Sequence, residues 1–330
     1  GPSDGALTME HFRGLPEPTD RDGQGHAWVD PDRSRPLAPR VGENGSWTVV
    51  FEAGQGGIAQ GGSVQFIVSP WHGWTPPQLS RPDAPGHVTV RLGGPAQGVS
   101  LETTVAGLPP TLFIGVTGAS LPGGSRIEVT YDGRADRYAE GREEFWIKVD
   151  GDGDGWAESL DPQDQPNIRI RAGAPVRLHL VLDSLSPPGH PVRASVSVLD
   201  AADNRTDWAG PVHLEPLVGE WTGPDSIKIG PGSGGTARVT FAAPTEGVLR
   251  LRAEADGLKS ALSNPLLAVS GAGEPWKLLW GDLHGHSSLS DGSGEPEEYF
   301  AYGRDIAMLD VCVLTDHDYW GFHQPDENEA

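Results

Sequence analysis

The sequence predicts a mostly β protein with two successive β-sandwich domains, followed by a different, β-α-β pattern. Short β-branched and aromatic runs alternate with glycine and proline clusters, which is typical of strands joined by tight turns. The chain contains 46 glycines and 30 prolines, but its 11 tryptophans argue against general disorder. Its 330 residues also exceed the roughly 250 to 300 that one hydrophobic core serves, so several domains are expected.

The first series of apolar runs predicts an antiparallel sandwich over residues 45–150. Residues 1–44 mix proline, glycine, aspartate and arginine without a sustained period, so they are expected to form an irregular arm. The predicted strands of the first sandwich are Trp47–Phe51, Ser63–Val68, His87–Leu92, Thr111–Val116, Arg126–Tyr131 and Glu144–Val149.

A second series predicts an immunoglobulin-like sandwich over residues 164–271, after an acidic linker at residues 151–163. The runs are again short and are separated by turn-forming residues. The predicted strands are Ile168–Arg171, Val176–Leu182, Val192–Leu199, Val212–Glu215, Thr236–Phe241, Val248–Ala253 and Leu266–Val269.

Residues 276–330 follow a third pattern, which predicts the start of an α/β fold. The apolar run Trp276–Trp280 indicates a first strand, and Pro296 suits the first position of a helix. The continuous apolar run Leu309–Leu314 is typical of a parallel strand that is buried on both faces.

Charge and cysteine content exclude several classes of function. The formal net charge of −22 repels nucleic acid and anionic lipid, so neither is expected as a partner. No apolar run approaches the roughly 18 residues that span a membrane. Cys312 is the single cysteine, so a metal site must use histidine and carboxylate ligands. The chain starts at Gly1 without methionine, which is compatible with a removed leader and a secreted or periplasmic location; compartment and oligomeric state stay open.

Two histidine clusters at the predicted strand ends indicate metal chemistry. His284 and His286 are spaced so that they share one face of a strand, where their imidazoles can chelate one ion. Asp291 in the next turn and His317 at the following strand end can converge on a second ion.

The residues around these histidines resemble the polymerase and histidinol phosphatase (PHP) domain superfamily. The matching motifs are Asp282-Leu283-His284-Gly285-His286 through Asp291-Gly292, and Thr315-Asp316-His317. Upstream, Trp71–Gln78 is similar to a subgroup of carbaryl-hydrolase-like and uncharacterised metallohydrolases. The resemblance implies a distorted seven-stranded β/α barrel with two or three Zn, Mn or Fe ions.

The resemblance also implies roles for the matching residues. His284 and His286 would bind one metal, Asp291 and His317 another, and Asp282 and Asp316 would orient the imidazoles. A metal-activated hydroxide would then hydrolyse a phosphoester, ester, carbamate or amide in a small-molecule substrate.

The family's later ligands should lie beyond residue 317, where 13 residues follow, so the 330-residue chain alone is expected to be inactive. The alternative is a non-catalytic β-sandwich binding or scaffold protein that carries only a remnant of the barrel. Metal content separates the two hypotheses, because the hydrolase needs about two or more tightly held transition ions.

A second candidate site lies in the acidic linker. The loop from residue 150 to residue 161 places acids at positions 1, 3, 5, 9 and 12 with glycine at position 6, as calcium loops do. Repeated Asp-Gly pairs also form ordinary turns, so an acidic turn without an ion is the alternative. The predicted calcium ligands are Asp150, Asp152, Asp154, Glu158 and Asp161.

Overall fold

The chain divides into two compact units, each built from three stretches of sequence. The computed structural model describes residues 19–69, 73–94, 96–273 and 276–317. Within these, the first unit takes residues 19–37, 44–134 and 144–168, and the second takes residues 38–43, 135–143 and 169–317.

The first unit is a sandwich of a four-stranded and a five-stranded sheet. Its strands are β1 Gly25–Val29, β2 Asn44–Ala53, β3 Ser63–Ile67, β4 His87–Gly93, β5 Ser100–Ala106, β6 Thr111–Thr117, β7 Arg126–Arg134, β9 Trp146–Asp150 and β10 Glu158–Ser159. The strand orders are β1-β2-β7-β4 and β10-β9-β3-β6-β5, and neighbouring strands are antiparallel. A separate pair joins β8 (Glu140–Glu144) to β11 (Asn167–Ile170), and residues 140–143 of β8 belong to the second unit.

An aromatic cluster fills the space between the two sheets of the first unit. Phe66 on β3 lies 6.0 Å from Tyr131 on β7, measured between ring centroids, so the cluster joins one sheet to the other. Trp47 meets Trp74 edge-on at 5.2 Å. Such pairs stabilise a core beyond the area that they bury, by about 0.5–1.5 kcal/mol each.

The second unit contains another sandwich, whose sheets have the orders β12-β14-β17 and β13-β20-β18-β15-β16, with β19 paired to β18. Apolar side chains from both sheets form one buried cluster that includes Leu178, Val196, Leu214 and Leu251. The strands are β12 Arg177–Leu182, β13 Leu185–Ser186, β14 Pro191–Leu199, β15 Gly210–Val218, β16 Ser226–Ile229, β17 Thr236–Ala242, β18 Gly247–Glu254, β19 Ala261–Leu262 and β20 Leu266–Ala268.

The second unit also contains the predicted β-α-β sequence of elements. Strand β21 (Gly281–Gly285) is followed by helix α1 (Pro296–Asp305) and strand β22 (Val311–Leu314), and the two strands are parallel. Pro296 occupies the first turn of α1, and Glu295 with Glu298 forms a capping box. No helix in the described part of the chain is both long and apolar enough to cross a membrane.

The prediction of a mostly β chain with two successive β-sandwiches is confirmed, but three finer expectations are wrong. The first barrel strand was expected at Trp276–Trp280, whereas β21 begins at Gly281. Strand β22 was expected to be buried on both faces, yet Val311 and Val313 are exposed, and Cys312 and Leu314 are half-buried. The arm predicted as irregular contains strand β1, which pairs with β2.

The expected start of a PHP-type barrel is also corrected. Strands β21 and β22 form a sheet of two strands in the described part of the chain, and α1 is the α-helix that accompanies them. A two-stranded sheet beside a β-sandwich is an appendage to that sandwich rather than a layer of a barrel.

Candidate metal centre

The loop that follows β21 brings two imidazoles and a carboxylate together. His286 comes directly after β21, Asp291 lies in the next turn, and His317 follows β22. Nδ1 of His286 donates a hydrogen bond to Oδ1 of Asp291 at 2.6 Å, and Nε2 of His317 lies 3.8 Å from the same oxygen. One ligand atom from each residue lies within 4.8 Å of the other two, so the three can surround a single ion.

The hydrogen bond to Asp291 determines which nitrogen of His286 is free to bind a ligand. With Nδ1 as the donor, Nε2 keeps its lone pair, and this atom is buried without a hydrogen-bond partner among the described residues. Burial alone would raise the pKa of Asp291, but the hydrogen bond and charge of His286 lower it below its ordinary value.

The measured distances among the donor atoms suit a single ion. Two ligands at about 2.0–2.1 Å from one zinc ion lie at most about 4.2 Å apart. Nδ1 of His286 and Nε2 of His317 lie 2.6 Å and 3.8 Å from Oδ1 of Asp291, which is within that limit. His317 and the turn that carries Asp291 lie outside regular strands and helices.

His284 lies apart from this triad, although the sequence paired it with His286. Its ring centroid is 4.8 Å from that of His286, but its Nδ1 is hydrogen-bonded to Thr315 Oγ1 at 2.9 Å, and its side chain is exposed. The structure thus brings together His286, Asp291 and His317, a different grouping from the predicted pairs.

Asp316 holds the loop in shape instead of orienting an imidazole. Its carboxylate accepts hydrogen bonds from the backbone N–H of Ser287 at 2.7 Å, from Ser287 Oγ at 2.8 Å and from Ser290 Oγ at 2.5 Å. Both serines are almost fully buried. Sequence analysis missed this role, although Ser287 and Ser290 belong to the recognised motif.

Asp282, the other carboxylate expected to orient an imidazole, lies next to backbone and to a phenol. Its Oδ1 accepts a hydrogen bond from the backbone N–H of His284 at 3.2 Å. Burial, and then the negative charge of Asp282, raise the pKa of Tyr299 to about 12.

The acidic loop of the first unit gathers only some of its predicted calcium ligands. Asp150 and Asp152 lie close together with Asp22, whose Oδ1 accepts a hydrogen bond from Gly151 N at 2.8 Å. The predicted ligands Asp154, Glu158 and Asp161 are not in this group of described residues. Asp22 is far away in sequence, so no local spacing could reveal it.

Backbone N–H groups of the loop already donate hydrogen bonds to several of its carboxylates. The two oxygens of Asp150 accept hydrogen bonds from Gly153 N at 2.7 Å and Gly155 N at 3.1 Å, as in an ordinary acidic turn. Asp154 accepts one from Trp156 N, and Glu158 accepts one from the indole of Trp156. Burial raises the pKa of Asp150, so a neighbouring positive charge would stabilise this carboxylate.

A cluster of exposed apolar side chains precedes and includes β21, and we call it the apolar surface. Trp280 is fixed although 55% of it is exposed: its indole donates to Ser184 Oγ at 2.9 Å and its backbone N–H to Asp310 Oδ2 at 3.0 Å. A cavity of about 730 Å³ lies beside it. The members of the apolar surface, with their exposed fractions, are Trp276 (82%), Leu278 (49%), Leu279 (48%), Trp280 (55%) and Leu283 (69%).

Trp71 and His72, which the sequence resemblance included, lie outside the described residues. Trp74 of the same segment is 4% exposed and packs in the aromatic core of the first unit.

Comparisons with known proteins give matches of low similarity to solved structures. No protein family matches the sequence, and no curated protein matches it. Similar solved structures include the adhesin InvE of Yersinia pseudotuberculosis, at 12% identity and a TM-score of 0.25 over 78% of this chain and 65% of the adhesin. The adhesin FdeC of Escherichia coli is similar at 13% identity and a TM-score of 0.28, over 77% of this chain and 65% of the adhesin.

A third similar structure is the 35 kDa carboxyl-terminal fragment of the major pilin GBS80 of Streptococcus agalactiae. Its identity is 11% and its TM-score 0.28, over 74% of this chain and 91% of the fragment. The chain spans just under two thirds of the two adhesin structures. Such identities and TM-scores carry no argument about function.

The expected membership of the PHP superfamily is therefore wrong. No family of that kind matches, and the described chain contains a single ten-residue α-helix. The expectation that the chain is a metal-dependent hydrolase depended on that resemblance, and it is corrected with it.

Proposed function

We propose that this chain is a non-catalytic β-sandwich binding protein whose second unit presents the apolar surface to a partner polypeptide. The observation that carries the proposal is the exposure of Trp276, Trp280 and Leu283 within one short segment of the chain. Contiguous exposed apolar side chains on a soluble domain are typical of protein-binding sites. Tryptophan is also enriched in the centres of such sites.

Trp280 has the properties of an anchor residue. Two hydrogen bonds hold its backbone and its indole, so little conformational entropy is lost when a partner covers the ring. Anchors of this kind provide most of the binding energy in protein interfaces, and tryptophan is among the residues that do so most often.

The cavity beside the apolar surface supplies polar groups for orientation. It is lined by Lys277 and Asp310 together with the ion pair between Arg193 and Asp183, whose Nη2 and Oδ1 atoms are 2.7 Å apart. An extended peptide could place an apolar side chain against Trp280 and direct its backbone polar groups to these charges.

The proposal is tested with a displayed library of random twelve-residue peptides selected on the whole chain. Peptides enriched on the parent protein should lose about tenfold or more in affinity when Trp280→Ser and Leu283→Ser are combined. Each substitution removes apolar area that a bound peptide would cover. The matched control is Leu108→Ser, because Leu108 is 96% exposed in the first unit. Equal binding to the double variant and the parent would contradict the proposal.

A second part of the proposal is a single divalent transition ion held by His286, Asp291 and His317. The support is the convergence of these side chains, in which the ion would take the place of the proton between Nδ1 of His286 and Oδ1 of Asp291. An ion there would fix the loop between β21 and α1, which lies next to the apolar surface in sequence, and would act as a structural element.

Zinc titration of the whole chain by calorimetry tests this ion site. We expect about one ion per chain, and replacement of His286 or His317 by alanine should abolish binding because a ligand is lost. His213→Ala is the control, since His213 is exposed on β15. Zinc binding that is unchanged in both ligand variants would contradict the site.

The acidic loop is proposed to bind calcium through Asp22, Asp150 and Asp152. Their clustered carboxylates favour a hard cation with oxygen ligands. Calcium should raise the melting temperature of the parent, and Asp152→Asn should remove most of that increase. If chelator leaves the melting temperature of the parent unchanged, the loop is an ordinary acidic turn.

A secreted or periplasmic location is the last part of the proposal. Calcium sites in extracellular modules have dissociation constants of about 10⁻⁴–10⁻³ M, so they fill only where calcium is abundant. Fractionation of the source cells tests this location, and recovery of the protein in the cytoplasmic fraction alone would contradict it.

A further inference from the structure

Three carboxylates are buried together in the second unit, and none of them belongs to the candidate sites described above. Asp136 is 0% exposed, Glu140 4% and Glu143 5%. One oxygen atom from each lies within 4.8 Å of the other two. Asp136 follows strand β7, and both glutamates belong to β8, so the cluster is formed over a short stretch of chain.

Glu140 connects this cluster to the loop in front of α1. Its Oε2 accepts a hydrogen bond from the buried backbone N–H of Gly294 at 2.8 Å. Its other oxygen, Oε1, is buried and has no hydrogen-bond partner in the described part of the chain. A buried carboxylate oxygen without a donor is costly unless a proton or a cation neutralises it.

The surroundings add negative charge to the cluster. Burial raises the pKa of Asp136 to about 7 and raises the pKa of Glu140, and the charges of Glu298 and Glu295 raise the latter further. A bound cation would stabilise the ionised forms of these carboxylates, because it offsets the repulsion among negative charges that burial strengthens.

We infer that Asp136, Glu140 and Glu143 bind one calcium ion. The three donors are all carboxylate oxygens, which suits a hard cation rather than zinc or copper. Two ligands at about 2.4 Å from one calcium ion lie at most about 4.8 Å apart, and the three oxygens lie within 4.8 Å of one another, so all of them can reach one ion. Glu140 Oε1 is the atom that an ion would satisfy.

Such an ion would clamp β8 to the amino-terminal end of α1. Glu140 is bound to Gly294, and the next residue, Gly141, donates its backbone N–H to Glu298 Oε1 at 3.1 Å. An ion that fixes Glu140 therefore also fixes the segment of residues 287–298. The inference is independent of the zinc triad and of the acidic loop in the first unit.

The experiment uses the whole chain with Asp150→Asn and Asp152→Asn, so that calcium bound by the first unit does not contribute. Calcium chloride is titrated by calorimetry, and amide hydrogen exchange of residues 287–298 is measured with and without millimolar calcium. We expect about one ion per chain and exchange that slows about tenfold or more when the ion is bound.

Adding Glu140→Gln should abolish both the ion and the slowing of exchange, because the amide keeps the shape but not the charge. Adding Glu297→Gln should leave both intact, since Glu297 is exposed on α1. If Glu140→Gln does not fold, Glu143→Gln takes its place. The inference is overturned if the parent of the series takes up no calcium, or if the glutamine variants in the cluster bind it as the parent does.

Discussion

Asp291 is the carboxylate of the proposed zinc triad, and its Oδ1 lies 2.6 Å from Nδ1 of His286. Replacing Asp291 by asparagine should weaken zinc binding by about tenfold or more, because a neutral amide is a poorer zinc ligand than a carboxylate. The measurement is a zinc titration against a competing chelator. Zinc affinity that is equal in Asp291→Asn and the parent would contradict the role of Asp291 as a ligand.

His179 on β12 is partly buried and makes folding sensitive to pH. Burial, followed by the positive charge of Arg177, lowers the pKa of His179 below its ordinary value of 6.5. The folded state therefore prefers the neutral ring of His179. The stabilisation of the folded state by this preference is fully present above about pH 6.5 and is lost as the pH falls below that value.

Urea unfolding at about pH 7.5 and about pH 5.5 measures this contribution of His179. The parent should lose stability at the lower pH, and His179→Gln should lose less, because glutamine does not titrate. His213→Gln is the control at an exposed position of the same unit. An identical pH dependence in His179→Gln and the parent would contradict the assignment.

At the level of residues, sequence analysis found candidate ligands only where spacing or a motif revealed them. His286, Asp291 and His317 stand in recognisable runs, so they were predicted before the structure brought them together. Asp22 and Glu140 carry no such pattern, because their partners come from other parts of the fold. The roles proposed for all of these residues stay predictions.

Helix α1 shows how local chemistry determines an element. The side chain of Glu298 accepts the backbone N–H of Glu295 at 3.1 Å and thereby closes the capping box. Glu298→Ala should destabilise the helix by about 1 kcal/mol, as loss of a cap does. Hydrogen exchange of the first turn measures the effect, with Glu297→Ala as the exposed control, and equal exchange in the two variants would contradict it.

Strands were predictable where apolar residues recur and not where they are scarce. The runs predicted for β2, β3, β6 and β7 are all present, since their buried side chains give a clear signal. Strand β8 reads Glu-Gly-Arg-Glu-Glu, and its pairing rather than its composition makes it a strand. The same is true of β5, whose side chains are mostly exposed.

At the level of the whole molecule, two separate cores predict two separable unfolding transitions. Ile127→Ala in the first unit and Leu251→Ala in the second each empty a fully buried site, at a cost of about 2–5 kcal/mol. Each should lower one calorimetric transition and leave the other nearly unchanged. A single transition that both variants lower equally would contradict independent cores.

The order in which the two units occur along the chain has a consequence for biosynthesis and inheritance. Each unit is interrupted, and Arg40 Nη1 donates to the carbonyl of Ala172, which lies 132 residues later within the same unit. Translation adds about 5–20 residues per second, so residues 38–43, the first stretch of the second unit, are synthesised several seconds before the residues that they contact. Because stretches of the two units alternate along the chain, no continuous piece of the coding sequence contains one whole unit without part of the other. The two units are therefore expected to be inherited together.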